Sequence, residues 1–308
     1  MEKVSIIIPT FNRKNMLIRC INSVLSSNYN NFELIIADDN STDGTDIKIK
    51  KYLKNKKIKY IKNNKEMLLS YTINRAIKIT DGKFIFILDD DNIIDKNCIL
   101  NLVNSFNLDN NIAIVGPLAL YYSKKDTIMH AGAKRSIFMR RAIYPYQNEK
   151  WKNQVKEGDK VFDFLNAFMF KKSIIKKIGM WDNLVPFMGE DGDFEARVRG
   201  IGCTIIINPK AITYHDIKYN PKEKYFMRLN NMRIYHVMHS KILYEYRYEN
   251  VINKLTFTLS LPLYIMYYLY IICKNSETNK KSLIKNLFNG TINGLINAVM
   301  GKNQIEWL

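Results

Sequence analysis

The sequence predicts an α/β fold, a doubly wound sheet with helices on its faces, and three observations lead there. Ile85-Phe86-Ile87-Leu88 runs without a break into Asp89-Asp90-Asp91-Asn92, the pattern of a buried strand that delivers charge to the carboxyl edge of a sheet. Val4-Ser5-Ile6-Ile7-Ile8 is a β-branched run stopped by Pro9, then a helical stripe and a second strand follow, which is the βαβ grammar of such sheets. The Gly-rich GxGxxG turn of dinucleotide binders is absent, which turns the reading away from a dehydrogenase.

The elements follow in order. Pro9 ends the first strand and opens a loop from Thr10 to Arg13. Met16, Leu17, Cys20, Ile21, Val24 and Leu25 recur at helical spacing and form one apolar stripe. A second strand, Phe32 to Ala37, ends in Asp38-Asp39-Asn40-Ser41-Thr42-Asp43-Gly44-Thr45, a cluster of turn and cap residues able to start the next helix. The lysine-dense stretch 47–65 reads as a solvated helix face or an attraction to phosphate or anionic membrane, with a short strand at Ile58 to Ile61. Tyr71 to Ile79 is a helix carrying Asn74, and it leads to Lys83 and the strand before the three acids.

Three adjacent carboxylates repel one another, so they must be solvated, paired or neutralised by a cation, and a hard divalent metal suits oxygen ligands. The whole chain of 308 residues can bury a large core and carries a net charge of +18. That charge fits either a lysine-rich solvated surface or an anionic partner: nucleic acid, a phosphorylated ligand or a lipid surface. Cys20, Cys98, Cys203 and Cys273 are scattered without a CxxC, so neither a disulfide framework nor a zinc site is expected, and a reducing compartment is. The opening residues Met1-Glu2-Lys3 run straight into a strand, and no signal peptide is expected there.

Val4 to Arg13, Asp38 to Thr45 and Leu88-Asp89-Asp90-Asp91 together resemble the successive nucleotide-sugar motifs of family 2 glycosyltransferases. The likeness continues through Gly179-Met180-Trp181-Asp182, Gly189-Glu190-Asp191-Gly192-Asp193-Phe194-Glu195-Ala196-Arg197 and Tyr214-His215-Asp216, and covers residues 1–240. It implies the GT-A fold, a Rossmann-like mixed sheet flanked by helices. The nucleotide-binding half would be residues 1–115 and the acceptor and catalytic half 116–240, with a helical, membrane-associating segment, 241–308, after them. The implied function is inverting, metal-dependent transfer from a nucleotide-sugar donor (UDP-, GDP- or dTDP-sugar) to a hydroxyl of a glycan or lipid-linked acceptor. A polyprenyl-phosphate sugar synthase is the neighbouring alternative, and a catalytically silent nucleotide-sugar-binding scaffold is the alternative of another class.

The resemblance assigns Asp91 to a divalent metal, Mn²⁺ or Mg²⁺, with His215 as a second metal or diphosphate ligand; the residue-level alternative for His215 is a structural histidine. Asp89 and Asp90 fall near the ribose or the metal shell. Pro9, Thr10 and Phe11 would lie beside the base or ribose, Arg13 near the diphosphate, and Asp39 and Asn74 with the nucleotide, Asp39 hydrogen-bonding its base. The implied general base is Asp191, at the start of a helix whose dipole favours the ionised carboxylate. Along that helix Arg197 reads as structural, Asp193 as either a support or a solvated group, and Glu195 with Arg199 has the spacing of an ion pair.

Residues 116–161 mix Tyr121, Tyr122, His130, Lys134, Arg135, Arg140, Arg141, Tyr144 and Tyr146, suited to sugars and phosphates or to single-stranded nucleic acid; with the donor motifs in place, no nucleic-acid partner is expected. Leu255 to Cys273 is uncharged and bracketed by Lys254 and Lys274. It reads as a membrane span, an interfacial helix or a core helix. A second apolar segment, Leu283 to Met300, carries Gly290 and Gly294. The expected location is the cytoplasmic face of a membrane, peripheral or single-span.

Overall fold

The computed structural model describes residues 1–136, 141–217, 219, 230–275 and 279–308. Arg140 therefore lies outside the described residues. The chain divides into two compact units: Met1–Met180 with Arg197–Tyr219 and Trp307–Leu308, and Trp181–Ala196 with Asn220–Glu306.

The first unit opens with β1 (Val4–Thr10), α1 (Lys14–Leu25) and β2 (Phe32–Asp38). The lysine-rich stretch yields only short pieces, α2 (Thr45–Ile49) and a 3₁₀ turn at Tyr52–Lys54, before β3 (Ile58–Lys62). Then come α3 (Leu69–Ile77), β4 (Phe84–Leu88), β5 (Asn92–Ile94) and α4 (Cys98–Ser105). The middle of the chain forms β6 (Ile112–Tyr121), β7 (Lys124–His130), β8 (Lys134–Ser136), β9 (Arg141–Ile143), β10 (Ala167–Lys171) and α5 (Ile175–Ile178). Helix α6 (Glu190–Gly200) starts in the second unit's residues and leads to β11 (Thr204–His215).

Among the described residues the main sheet has nine strands in the order β3-β2-β1-β4-β10-β6-β11-β5, with β7 against β6. Strands β3, β2, β1 and β4 are parallel, and β10 enters antiparallel to β4 and β6. The sheet is thus mixed, as expected. Strands β1, β2 and β4 are buried along their whole length, which is why their apolar runs are continuous rather than alternating. Leu17, Cys20, Ile21 and Val24 of α1 bury the predicted stripe against this sheet's core.

Register explains why distant residues meet. Thr10 pairs with Asp38 at the ends of β1 and β2, and Ile7 pairs with Ile87, so all three strands release polar residues at the same edge. At the far side β5 pairs antiparallel with β11, matching Asn92 to His215. The backbone N–H of Asp216 donates to the Asp91 carbonyl at 2.7 Å and locks that register. Strand β11 continues past Pro209 through a register shift between Asn208 and Ile212 and ends at His215.

The second unit contains α7 (Asn231–Tyr248), α8 (Val251–Asn275) and α9 (Lys280–Val299). Gly290 of α9 lies against Tyr235, where an added Cβ would stand 2.3 Å from the carbonyl oxygen, so the helices approach at backbone distance. Ile234, Met238 and Ile242 of α7, Phe257, Leu261 and Ile272 of α8, and Leu283 and Leu287 of α9 form its core. Helix α8 runs unbroken through Pro262. Among the described residues, Val251–Lys274 is the one helix long and apolar enough to cross a membrane.

Candidate active site

The edge where β1 and β4 end carries the predicted acidic centre. Thr10 Oγ1 donates to Asp90 Oδ2 at 2.7 Å. Arg13 Nη1 donates to Asp90 Oδ1 at 3.2 Å and to Asp91 Oδ2 at 3.0 Å. His215 Nε2 faces Asp91 Oδ1 at 3.4 Å. The Asp89 backbone N–H donates to the Asn166 carbonyl, which ties the acidic turn to β10's approach, and its side chain is half-buried. Thr10, Arg13, Asp90, Asp91 and His215 therefore converge.

The electrostatics are set by burial. Burial pushes the Asp90 carboxyl up to about 6, the neighbouring Asp91 adds to that, and Arg13 and Thr10 oppose it. Burial therefore disfavours the ionised Asp90 even with Arg13 beside it. Burial lowers the His215 pKa, which favours the neutral imidazole, the form that ligates metals. Its Nδ1 is buried with no hydrogen-bond partner among the described residues.

The same edge holds a second cluster around the Asp38–Asp39 turn. Asp39 Oδ1 accepts from Asn63 Nδ2 at 2.6 Å and from the Met67 N–H at 2.8 Å, and Oδ2 accepts from the Leu68 N–H at 2.8 Å. Leu68 sits at φ +68, a strained backbone for a branched residue, and this bond is part of what holds it there. Asn63, Asn64, Lys65, Met67, Tyr71 and Arg75 line an open cavity of 430 Å³ next to that carboxylate. Arg75 donates to the Asn63 side chain. Sequence reading found Asp39 but missed this cavity, because its wall comes from a loop with no periodic signal. Asn74 is buried on α3, Pro9 is buried in β1, and Phe11 is 39% exposed beside the edge. Asp38 accepts from Ser41 N–H and Tyr60 O–H, so its role is to close the turn.

In the second unit Asp191 occupies the first turn of α6, buried to 9% exposure. The Trp181 indole N–H donates to Asp191 Oδ1 at 3.2 Å. Trp181 is itself clamped on Phe194, their rings 4.0 Å apart and 7° from parallel. Glu190 accepts from the Gly189 N–H, and burial raises its pKa. Asp193, left open by the sequence, is a buried support: it accepts from Arg247 at 3.0 Å and Tyr248 O–H at 2.7 Å. Trp181 was quoted in the sequence as part of a motif, and the structure shows what it touches.

Arg197 donates to the Ile178 carbonyl at 2.6 Å, the structural role expected of it. The Arg199 guanidinium lies 3.7 Å over the Phe162 ring and donates to that residue's carbonyl. Of the aromatic and basic mixture in 116–161, Tyr121 and His130 belong to the sheet and are buried, with burial holding His130 down to about 3; Tyr122 and Tyr146 are exposed.

Among the described residues no three His, Cys, Asp or Glu side chains form a ready-made metal cluster. Asp91 and His215 still fit a hard divalent ion: two donors, one carboxylate and one neutral imidazole, converge at 3.4 Å, and Mg²⁺-type sites take few protein ligands and complete their shell with substrate phosphates and water.

Comparison with known proteins bears on the family and the fold. The chain is 32% identical over 137 residues to UDP-Glc:alpha-D-GlcNAc-diphosphoundecaprenol beta-1,3-glucosyltransferase WfgD of Escherichia coli, covering 39% of this chain and 54% of that protein. It is 32% identical over 182 residues to poly(ribitol-phosphate) beta-N-acetylglucosaminyltransferase TarP of Staphylococcus aureus, covering 58% of this chain and 51% of that one. The chain thus spans about half the length of these relatives. The crystal structure of GalNAc-T7 with UDP, GalNAc and Mn²⁺ superposes with a TM-score of 0.62 at 15% identity, over 94% of this chain and 55% of that one, which shows the shared GT-A fold. Residues 5–179 match the family described as Glycosyl transferase family 2, more than half of the sequence, and the chain belongs to that family.

Proposed function

We propose that the protein is an inverting glycosyltransferase that moves a sugar from a nucleotide-sugar donor to a hydroxyl of a glycan or lipid-linked acceptor. The observation that carries this reading is the convergence of Thr10, Arg13 and His215 on Asp90 and Asp91 at the carboxyl edge of a mixed sheet, where open α/β folds bind ligands. Residues 1–240 would form the catalytic domain and 241–308 the membrane-associating segment.

Each residue's role follows from its position. Asp91 and His215 would hold the divalent ion, Mn²⁺ or Mg²⁺. When bound, the ion supplies positive charge to the diphosphate leaving group. Arg13 offers a second cation for that diphosphate, freed from Asp90 and Asp91 as the donor enters. Asp89, half-buried, and Thr10 are placed to meet the ribose. Asp39, with the cavity beside it and Asn74 on the adjacent helix, receives the base, against Pro9 and Phe11 at the end of β1. Asp191 removes the proton of the acceptor hydroxyl as that oxygen attacks the anomeric carbon. The bond to the diphosphate breaks on the opposite face, so the configuration inverts. The Trp181 N–H orients the carboxylate for this task.

A buried base favours a hydroxyl acceptor over a polyprenyl phosphate, because a phosphate is already ionised and has no proton to give up. The diphosphoundecaprenol-linked acceptor for which the Escherichia coli relative is named and the long exposed apolar helix support a lipid-borne acceptor on a membrane surface. The test is turnover of UDP-, GDP- and dTDP-sugars with Mn²⁺ and vesicle-borne lipid-linked sugars or polyprenyl phosphate, with the anomeric configuration of the product read by NMR. Transfer to a sugar hydroxyl with inversion supports the reading. Retention, transfer only to the lipid phosphate, or neither transfer nor donor hydrolysis from a folded sample contradicts it.

A further inference from the structure

Helix α8 is apolar on two opposite sides. Phe257, Leu261 and Ile272 face the core built with α7 and α9. The other side is a continuous stripe, Ile252, Leu255, Leu259, Leu263, Met266 and Tyr270, each between 59% and 82% exposed. Their spacing of three or four residues keeps them on one line for the length of the helix, roughly 37 Å at 1.5 Å per residue. A solvated surface seldom leaves so long an uncharged strip uncovered.

We infer that α8 lies in the plane of an anionic lipid surface, stripe inward, and does not cross the bilayer. This inference rests on the membrane reading above and decides its geometry. Crossing would require α8 to leave its core or to carry its partners with it. Lys241 of α7 stands 4.7 Å over the Tyr264 ring, Tyr246 O–H bonds Thr258, and α9 brings Lys280, Lys281 and Lys285. Dragging those groups into hydrocarbon is costly, whereas a helix lying flat keeps them in water. Charge complementarity names the occupant: neither Val251–Asn275 nor Lys280–Val299 contains an acidic residue, and exposed Lys274 stands at the end of the stripe over the Tyr270 ring. A second copy pairing through its own α8 would bring no acidic group to Lys274.

The test uses the full chain and vesicles of phosphatidylcholine with and without phosphatidylglycerol. The protein is expected to float with the anionic vesicles, and Leu259→Glu with Leu263→Glu, both at exposed positions, should lower the vesicle-bound fraction on the order of a hundredfold while nucleotide binding is kept. Topology is then read with a membrane-impermeant maleimide on a Cys203→Ser, Cys273→Ser background, at Asn250→Cys and at Lys280→Cys, exposed positions just outside the two ends of α8. In-plane docking predicts that both ends are labelled from outside closed vesicles. Labelling of only one end before lysis would show a span and overturn the inference while leaving the membrane reading intact. No flotation of a folded sample would overturn both. A lipid-free dimer that the Leu259→Glu change dissociates would make a second copy the occupant and also overturn it. None of these outcomes bears on donor turnover, which judges the transferase reading separately.

Discussion

The two acidic clusters, Asp89 to Asp91 in the first unit and Glu190 to Asp193 in the second, are similar in composition and different in their partners. The first faces charged or ionisable groups: Arg13 bridges Asp90 and Asp91, and His215 faces Asp91. In the second, Arg247 pairs with Asp182 and Asp193, and Asp191 receives the Trp181 indole N–H. A carboxylate among cations is suited to holding charge in place. A buried carboxylate whose direction is fixed by an indole N–H is suited to accepting a proton from a hydroxyl held in front of it. Like residues thus acquire unlike roles through what surrounds them.

Several changes would break or sharpen that contrast. The largest effect is expected from Asp91→Asn, which should abolish the Mn²⁺ dependence of nucleotide binding and cut transfer by on the order of a thousandfold; unchanged affinity with Mn²⁺ in a titration would remove Asp91 from the metal. Asp191→Asn should leave nucleotide binding intact and lower turnover by about a hundredfold or more. If turnover stays near the unmodified rate, Glu190 or another acid is the base. Trp181→Phe keeps the ring stacked on Phe194 but removes the N–H. It should lower kcat about tenfold with the donor KM unchanged, and move the acid limb of the pH–rate profile to higher pH. A purely structural tryptophan would leave that limb where it is.

Two smaller effects concern stability in the second unit. Gly290→Ala inserts a methyl group against the Tyr235 carbonyl and should cost about 1–3 kcal/mol in denaturant unfolding. Burial holds His236 and His239 down to about 4, against an ordinary value of 6.5. The unfolded chain therefore takes up protons first on acidification, so their stabilising contribution is complete above pH 6.5 and is lost as pH falls toward about 4. Thermal melts across that window should show a drop that His239→Asn makes shallower; parallel curves would contradict it.

The donor side was legible because its signals are local. Buried parallel strands are unbroken apolar runs, and each ends at an abrupt polar turn, so β1, β2 and β4 fall within a residue or two of their expected ends. The partners of those turns were less legible. His215 meets Asp91 only because β5 pairs with β11 in one register, and the Asp39 carboxylate is held by a loop that begins 24 residues later. The antiparallel insertion of β10 between β4 and β6 has no local mark either. In the lysine-rich stretch the charges suggested a longer helical face than the short α2, since a lysine pattern says what is solvated but not how the backbone runs. Where α8 was concerned, composition alone could not separate span, interface and core, because a helix apolar on both sides looks the same in sequence whatever covers it.

The central claim is a metal-dependent nucleotide site at the carboxyl edge of β1 and β4. Its most direct test is calorimetric titration of the protein with UDP, GDP and dTDP, each with and without Mn²⁺. The account predicts that one nucleotide binds tightly and only when Mn²⁺ is present. Equal binding with and without Mn²⁺, or no binding of any of the three by a folded sample, would contradict it.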